Sequence, residues 1–233
     1  MTCRQHGIGL REDDLEYVGY LDFWFTDRPL VERVAAFAGL GVRRLNVWSW
    51  RSTPMDDLAA ECRHQGVTLN DTFDERCGSL VDAADHAYCL DAWAESLDMA
   101  ERLDIQPLSL FSDQVEGDGW IKRLSRDYTT EEKYANLLDG ATRVMELVEK
   151  TNVSIWFEAL NTVHIQGGVT VSTHALAADV VRRVNHPQLG MSFDCYHQQL
   201  TGGNLIAGLD GYAGLYGTVH VGDVPTRQEP GTG

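Results

Sequence analysis

Apolar residues along this chain gather into short, nearly unbroken runs separated by longer stretches with helical periodicity. Seven runs stand out: "VGYLDFWF" (18–25), "RRLNVWSW" (43–50), "VTLND" (67–71), "QPLSLF" (106–111), "VSIWFE" (153–158), "LGMSFD" (189–194) and "GTVHV" (217–221). Their β-branched and aromatic content reads as strands. Most are apolar on both faces, the pattern of a parallel sheet covered by helices.

The segments between them carry helix start and stop signals. In "TDRPLVERVAAFAGLGV", Thr26 or Asp27 can cap, Pro29 suits the first turn, Leu30, Val34 and Phe37 share a face, and Gly41 can end the helix. "STPMDDLAAECRHQG" repeats the scheme, with Ser52 or Thr53 as cap, Pro54 in the first turn, Asp56 and Asp57 near the positive end, Arg63 and His64 near the negative end, and Gly66 as terminator. "DHAYCLDAWAESLDMAERLD" reads as a long helix, and "TTEEKYANLLDGATRVMELVEKT" opens with a capping-box pattern.

Strands alternating with helices imply parallel β/α units, arranged as a doubly wound sheet or a closed barrel. No G-x-G-x-x-G or G-x-x-x-x-G-K-S/T motif follows the first strand, which removes the commonest nucleotide-binding reasons for a doubly wound sheet. The expectation is therefore an α/β protein with a TIM-type (β/α) barrel over residues 18–233, after a polar N-terminal extension at 1–17.

Composition narrows the function classes. With 43% hydrophobic and 23% charged residues the 233-residue chain can bury a real core. A formal charge of −16 would repel a phosphate backbone, so a nucleic-acid partner is not expected. Cys3, Cys62, Cys77, Cys89 and Cys195 are scattered without a C-x-x-C pair, which argues against a disulfide framework or a zinc cluster and for a reducing interior. No apolar run approaches bilayer length and the N-terminus is too polar for a signal peptide, so a cytoplasmic protein with no membrane partner is expected.

In a β/α barrel the catalytic groups sit where strands end. The fifth predicted strand ends in Glu158, the sixth in Asp194, and the seventh carries His220. One such acid is ordinary as a helix cap, but three metal-competent side chains on consecutive strands form a mixed oxygen and nitrogen donor set suited to Mn²⁺, Mg²⁺ or Co²⁺. Cys195 should point away from Asp194 if strand geometry continues, which makes it packing. His197 falls in the following loop, within reach of a bound substrate.

At these residues the chain resembles the xylose isomerase-like barrel superfamily, and most closely its hydroxypyruvate isomerase branch. The resemblance rests on the first β/α unit from Leu21 to Trp50, on "FEALN", on "FDCYHQQ", similar to a D-x-Y-H-x-Q motif, and on "VHVGDVPTRQEPGTG". It implies a divalent metal, with Mn²⁺ first, held by Glu158, Asp194 and His220, and proton transfer through a metal-stabilised cis-enediolate with Glu158 as acid/base. His220 departs from the branch, which has Gln there, and is similar to the ketose 3-epimerases. The resemblance further implies that His197 and Arg227 hold substrate oxygens, with His197 counted among the catalytic groups, and that Trp24 and Trp48 wall the pocket. A small carbohydrate or hydroxy-carbonyl substrate follows, with a homo-oligomer or a small partner subunit also expected.

The family pattern continues past "EPGTG" into an eighth strand bearing a second glutamate, whereas the sequence stops at Gly233. The expectation is a barrel without its eighth β/α unit, from a longer protein, because an open parallel edge exposes unpaired backbone. Two other functions share the scaffold: a C-glycoside deglycosidase subunit, a lyase with a small β-rich partner, and a sugar-binding barrel with an incomplete site. Residues 112–128 are expected to form a lid or a partner surface.

Overall fold

A computed structural model describes residues 15–232. Most of the N-terminal extension, with Cys3, and Gly233 lie outside the described residues. Strands β1 (Val18–Tyr20), β2 (Arg44–Asn46) and β3 (Thr68–Leu69) form one parallel sheet, and β4 (Leu108–Leu110), β5 (Ile155–Phe157), β6 (Leu189–Asp194) and β7 (Tyr216–His220) form another. A bridge between Thr72 and Leu108 joins the two, with the Ser109 N–H donating to the Thr72 carbonyl at 3.1 Å. Seven strands thus follow one another in chain order. Among the described residues β1 pairs only with β2 and β7 only with β6.

Helices alternate with the strands: α1 (Leu30–Gly39), α2 (Met55–Gln65), α3 (His86–Leu103), α4 (Thr130–Val148) and α5 (His174–Val184), with α6 (Cys195–Thr201) and α7 (Leu205–Gly211) between β6 and β7. The Thr129 and Glu132 capping box opens α4 as expected, and Gly66 ends α2 at a φ of 65°. Other expectations need correction. The run 18–25 pairs only as far as Tyr20, because the chain then turns and Phe25 takes a left-handed φ of 56°. Pro29 and Pro54 stand at the cap positions of α1 and α2, with no side-chain cap hydrogen bond. Thr53 instead donates its hydroxyl to the Ser49 carbonyl at 2.6 Å.

The core lies between strands and helices. Phe157, Phe193, Leu110, Leu137 and Ile155 are almost wholly buried. Gly19 in β1 is dictated by this packing, since a Cβ there would lie 2.4 Å from the Phe37 ring of α1.

The segment after β4, residues 112–128, is fastened rather than loose. The Asp82 carboxylate accepts from the Ser125 N–H at 2.5 Å, the Ser125 hydroxyl at 2.8 Å and the Tyr128 hydroxyl at 2.8 Å. Lys122 Nζ reaches Asp85 at 2.7 Å, and the Ile121 N–H donates to the Gln166 carbonyl at 3.0 Å. Burial pushes the Asp82 carboxyl up, but those hydrogen bonds outweigh it and hold the group below the usual carboxylate range.

Asp82→Ala should therefore loosen this rim together with the turn at 83–85 that Asp82 caps through the Ala84 N–H: amide exchange across 119–128 should rise roughly 10- to 100-fold, as expected for losing charge-assisted hydrogen bonds. Phe157→Ala should instead weaken the whole fold by about 3–5 kcal/mol in urea denaturation, because it empties a fully buried site.

Candidate active site

Three consecutive parallel strands bring the acidic and imidazole groups together. Phe157 of β5 is in register with Met191 of β6, so Glu158, next along, lies beside the end of β6, where Asp194 faces His220 of β7. Glu158 is anchored through its N–H to the Leu110 carbonyl at 3.0 Å and accepts from the Ser192 hydroxyl at 3.2 Å. Asp194 is held from three sides. Its backbone N–H donates to His174 Nε2 at 3.0 Å, its Oδ1 caps α6 by accepting from the His197 N–H at 3.0 Å, and its Oδ2 meets Arg227 Nη2 at 3.0 Å.

Both imidazoles face both carboxylates. His197 Nε2 lies 3.6 Å from Glu158 Oε1 and 3.7 Å from Asp194 Oδ2; His220 Nδ1 lies 3.6 Å from Glu158 Oε2 and 3.7 Å from Asp194 Oδ2. Such separations are too long for hydrogen bonds. Two donor atoms each bound about 2.1 Å from one ion sit about 3.0 Å apart in octahedral and about 3.4 Å apart in tetrahedral geometry, so a small inward shift of these side chains would close them on an ion. The donor atoms of Glu158, Asp194 and His197 also lie within 4.8 Å of one another. The residues thus fit a divalent cation by spacing and by chemistry.

The charges balance locally. Burial would raise both carboxyls, but His220 outweighs it at Glu158, and His220, His197 and Arg227 outweigh it at Asp194; both titrate below the ordinary range. At His220 burial acts against the charged form, and Tyr20, Glu158 and Asp194 reverse it, raising the group well above its ordinary value. His197 goes the other way, because burial prevails and lowers it.

Of the residues singled out in the sequence, Glu158, Asp194, His197, His220 and Arg227 converge here. His197 lies in the first turn of α6 rather than in a loop, and Cys195 opens that helix, so the strand alternation used to orient its thiol stops at Asp194. Trp48 is 44% exposed and belongs to a chain of ring contacts running from His220 through Tyr20, Phe23, Trp48 and Phe73 to Phe111, with centroids 5.2–6.2 Å apart. Trp24, 53% exposed, sits beside that chain, whose link at this point is its neighbour Phe23.

Sequence reasoning missed Asp71, Ser109, Asn161 and His174. Asp71 carried the signal used for Glu158 and Asp194, a carboxylate closing an apolar run. It is buried and accepts from the Ser109 hydroxyl at 2.8 and 3.0 Å. Burial pushes it up to about 7, with His220 and the Ser109 hydrogen bond opposing. His174, at the start of an unanticipated helix, had no local pattern to mark it.

Residues 32–233 match the family described as "Xylose isomerase-like TIM barrel". The chain belongs to that family. Three curated relatives, among them one from Xenopus laevis and one from Streptomyces coelicolor, carry the name "Putative hydroxypyruvate isomerase". The one from Xenopus laevis is 25% identical over 107 residues, 46% of this chain and 39% of the relative's length. The one from Streptomyces coelicolor is 28% identical over 234 residues, covering 91% of this chain and 80% of the relative. Among solved structures, an AP endonuclease of family 2 from Brucella melitensis superposes with a TM-score of 0.81 at 21% identity, covering 94% of this chain and 84% of that one. A D-psicose 3-epimerase solved with D-fructose superposes with a TM-score of 0.73 at 16% identity, covering 90% and 73%. These structures share the family's barrel fold. Among the described residues no helix is long and apolar enough to cross a membrane.

A carboxyl raised from about 4 to about 7 stabilises the fold fully only below its unfolded value, and that contribution is lost as pH rises through 7. Asp71→Asn removes the titration, so in metal-free protein the variant should gain stability relative to the native chain between pH 4 and pH 8, by up to about 4 kcal/mol, measured by urea denaturation at each pH.

Proposed function

We propose that this chain is a divalent-metal-dependent isomerase or epimerase acting on a small ketose or hydroxy-carbonyl compound. The observation that carries the reading is the spacing at the strand ends, where two buried carboxylates stand 3.6–3.7 Å from the His220 imidazole, too far to hydrogen-bond and near enough to share an ion. The relatives named for hydroxypyruvate isomerase and the D-psicose 3-epimerase neighbour support the reaction class.

Glu158, Asp194 and His220 would hold the ion, and their mixed donors favour Mn²⁺ over thiolate-seeking metals, with Mg²⁺ and Co²⁺ next. Such an ion supplies Lewis acidity toward a carbonyl oxygen. The remaining work falls to the side chains. Glu158 moves the proton at the carbon next to the carbonyl, a role that a buried carboxylate kept ionised by neighbouring cations can fill. His197 and Arg227 orient substrate oxygens. The ring chain from Tyr20 to Phe111 walls the pocket, with Trp48 in contact and Trp24 at the margin. Burial of Glu158 and Asp194 keeps bulk water from the proton in transit.

Metal analysis of the native protein should find a divalent cation at one site. With Mn²⁺ added, deuterium from solvent should enter hydroxypyruvate or D-fructose, read by NMR. Absence of both metal binding and exchange with Mn²⁺, Mg²⁺ and Co²⁺ would sink the proposal. Asp194→Asn should weaken Mn²⁺ binding by more than about 10-fold, since even residues behind a metal ligand typically cost that much. Glu158→Gln should abolish exchange.

A further inference from the structure

Two imidazoles flank the same pair of carboxylates, and their chemistry is set apart by one amide. His197 Nδ1 accepts twice, from the Asn161 backbone N–H at 3.0 Å and from the Asn161 side-chain Nδ2 at 2.8 Å. The amide cannot be reversed, because its Oδ1 already accepts from the Val163 N–H at 2.9 Å and the His164 N–H at 2.8 Å. An imidazole whose Nδ1 lone pair is filled by donors carries its proton on Nε2. That Nε2–H faces Glu158 Oε1 and Asp194 Oδ2. A metal ligand needs a lone pair at the atom facing the ion, so His197, although it lies close enough to Glu158 and Asp194 to share one, has none to offer there while Nδ1 accepts from Asn161.

Resting on the function proposed above, we propose that Asn161 is a positioning residue that locks the His197 tautomer. His197 thereby enters the pocket as a permanent hydrogen-bond donor and stays out of the ion's coordination set, leaving His220, of these two imidazoles, as the ligand. A fixed donor beside the catalytic carboxylate selects substrates that present an oxygen acceptor at that point, a carbonyl or an alkoxide in the making. Both Asn161 and His197 are buried, so solvent does not compete for these hydrogen bonds.

The test is nitrogen NMR of the imidazoles in the metal-free full chain, with the His197 signals assigned by their loss in His197→Gln. In the native protein His197 should show a pyridine-like Nδ1 and a proton-bearing Nε2; the reverse pattern overturns the proposal. Asn161→Asp presents a carboxylate oxygen to Nδ1 and should place a proton there. Two substitutions separate this role from simple loop support. Asn161→Asp keeps the oxygen that holds Val163 and His164 but disturbs the tautomer, whereas Asn161→Ala loses that oxygen but keeps the backbone N–H on Nδ1.

Deuterium exchange into D-fructose or hydroxypyruvate with Mn²⁺ should fall roughly 10- to 100-fold in Asn161→Asp, the loss typical of residues supporting a site, and less in Asn161→Ala. The opposite order, with Asn161→Asp silent and Asn161→Ala damaging, means loop support and rejects the lock. If the native chain shows no exchange at all, the proposed function fails while the NMR result still decides the tautomer.

Discussion

Two carboxylates buried side by side set the terms for everything at the C-terminal ends of β5, β6 and β7. Removing an ionised group from water costs several kcal/mol even after a protein has relaxed around it, and neighbouring like charges add to the cost. Glu158 and Asp194 are tolerable only because donors and cations converge on them: the Ser192 hydroxyl, the His197 N–H, Arg227 and two imidazoles. The loop after β7 supplies one of those cations. The Asp223 carboxylate gathers the N–H groups of Gly231 at 2.7 Å and Thr232 at 3.1 Å, and the Arg227 N–H donates to the Asp223 carbonyl at 2.9 Å, folding a loop that carries the guanidinium to Asp194. Arg227 takes a left-handed φ of 57° within it.

Asp194 serves two structures at once. Its Oδ1 starts α6, the ordinary task of an acid at a strand-to-helix junction, while its Oδ2 belongs to the pocket. A helix cap and a ligand are therefore not rival explanations for this residue. The cap fixes the carboxylate's rotation, and His174 fixes the backbone behind it through a ring wedged against Phe193 at 4.4 Å. His174 Nδ1 lies 2.8 Å from Gln198 Oε1, so the same ring ties β6 to the middle of α6.

The barrel order and the main polar groups were legible in the sequence because they depend on local patterns. An apolar run ending in a carboxylate or histidine states both a strand and what sits at its end, and Glu158, Asp194 and His220 were found that way. What stayed hidden depends on partners distant in the chain. Asn161 lies three residues past Glu158 in plain view, yet its role appears only when His197, 36 positions later, is folded against it. The helix starts misread at Pro29 and Pro54 failed because proline's fixed φ can serve the residue before a helix as well as the first turn within it. Asp71 was passed over although it closed its run as Asp194 does, since only the fold shows it buried beside Ser109.

The fastening of residues 112–128 bears on what binding nearby would cost. The tether to Asp82, Asp85 and the Gln166 backbone means that the ordering of this segment is settled when the protein folds. A ligand arriving at the strand ends gives up its own freedom but does not have to immobilise this part of the chain as well.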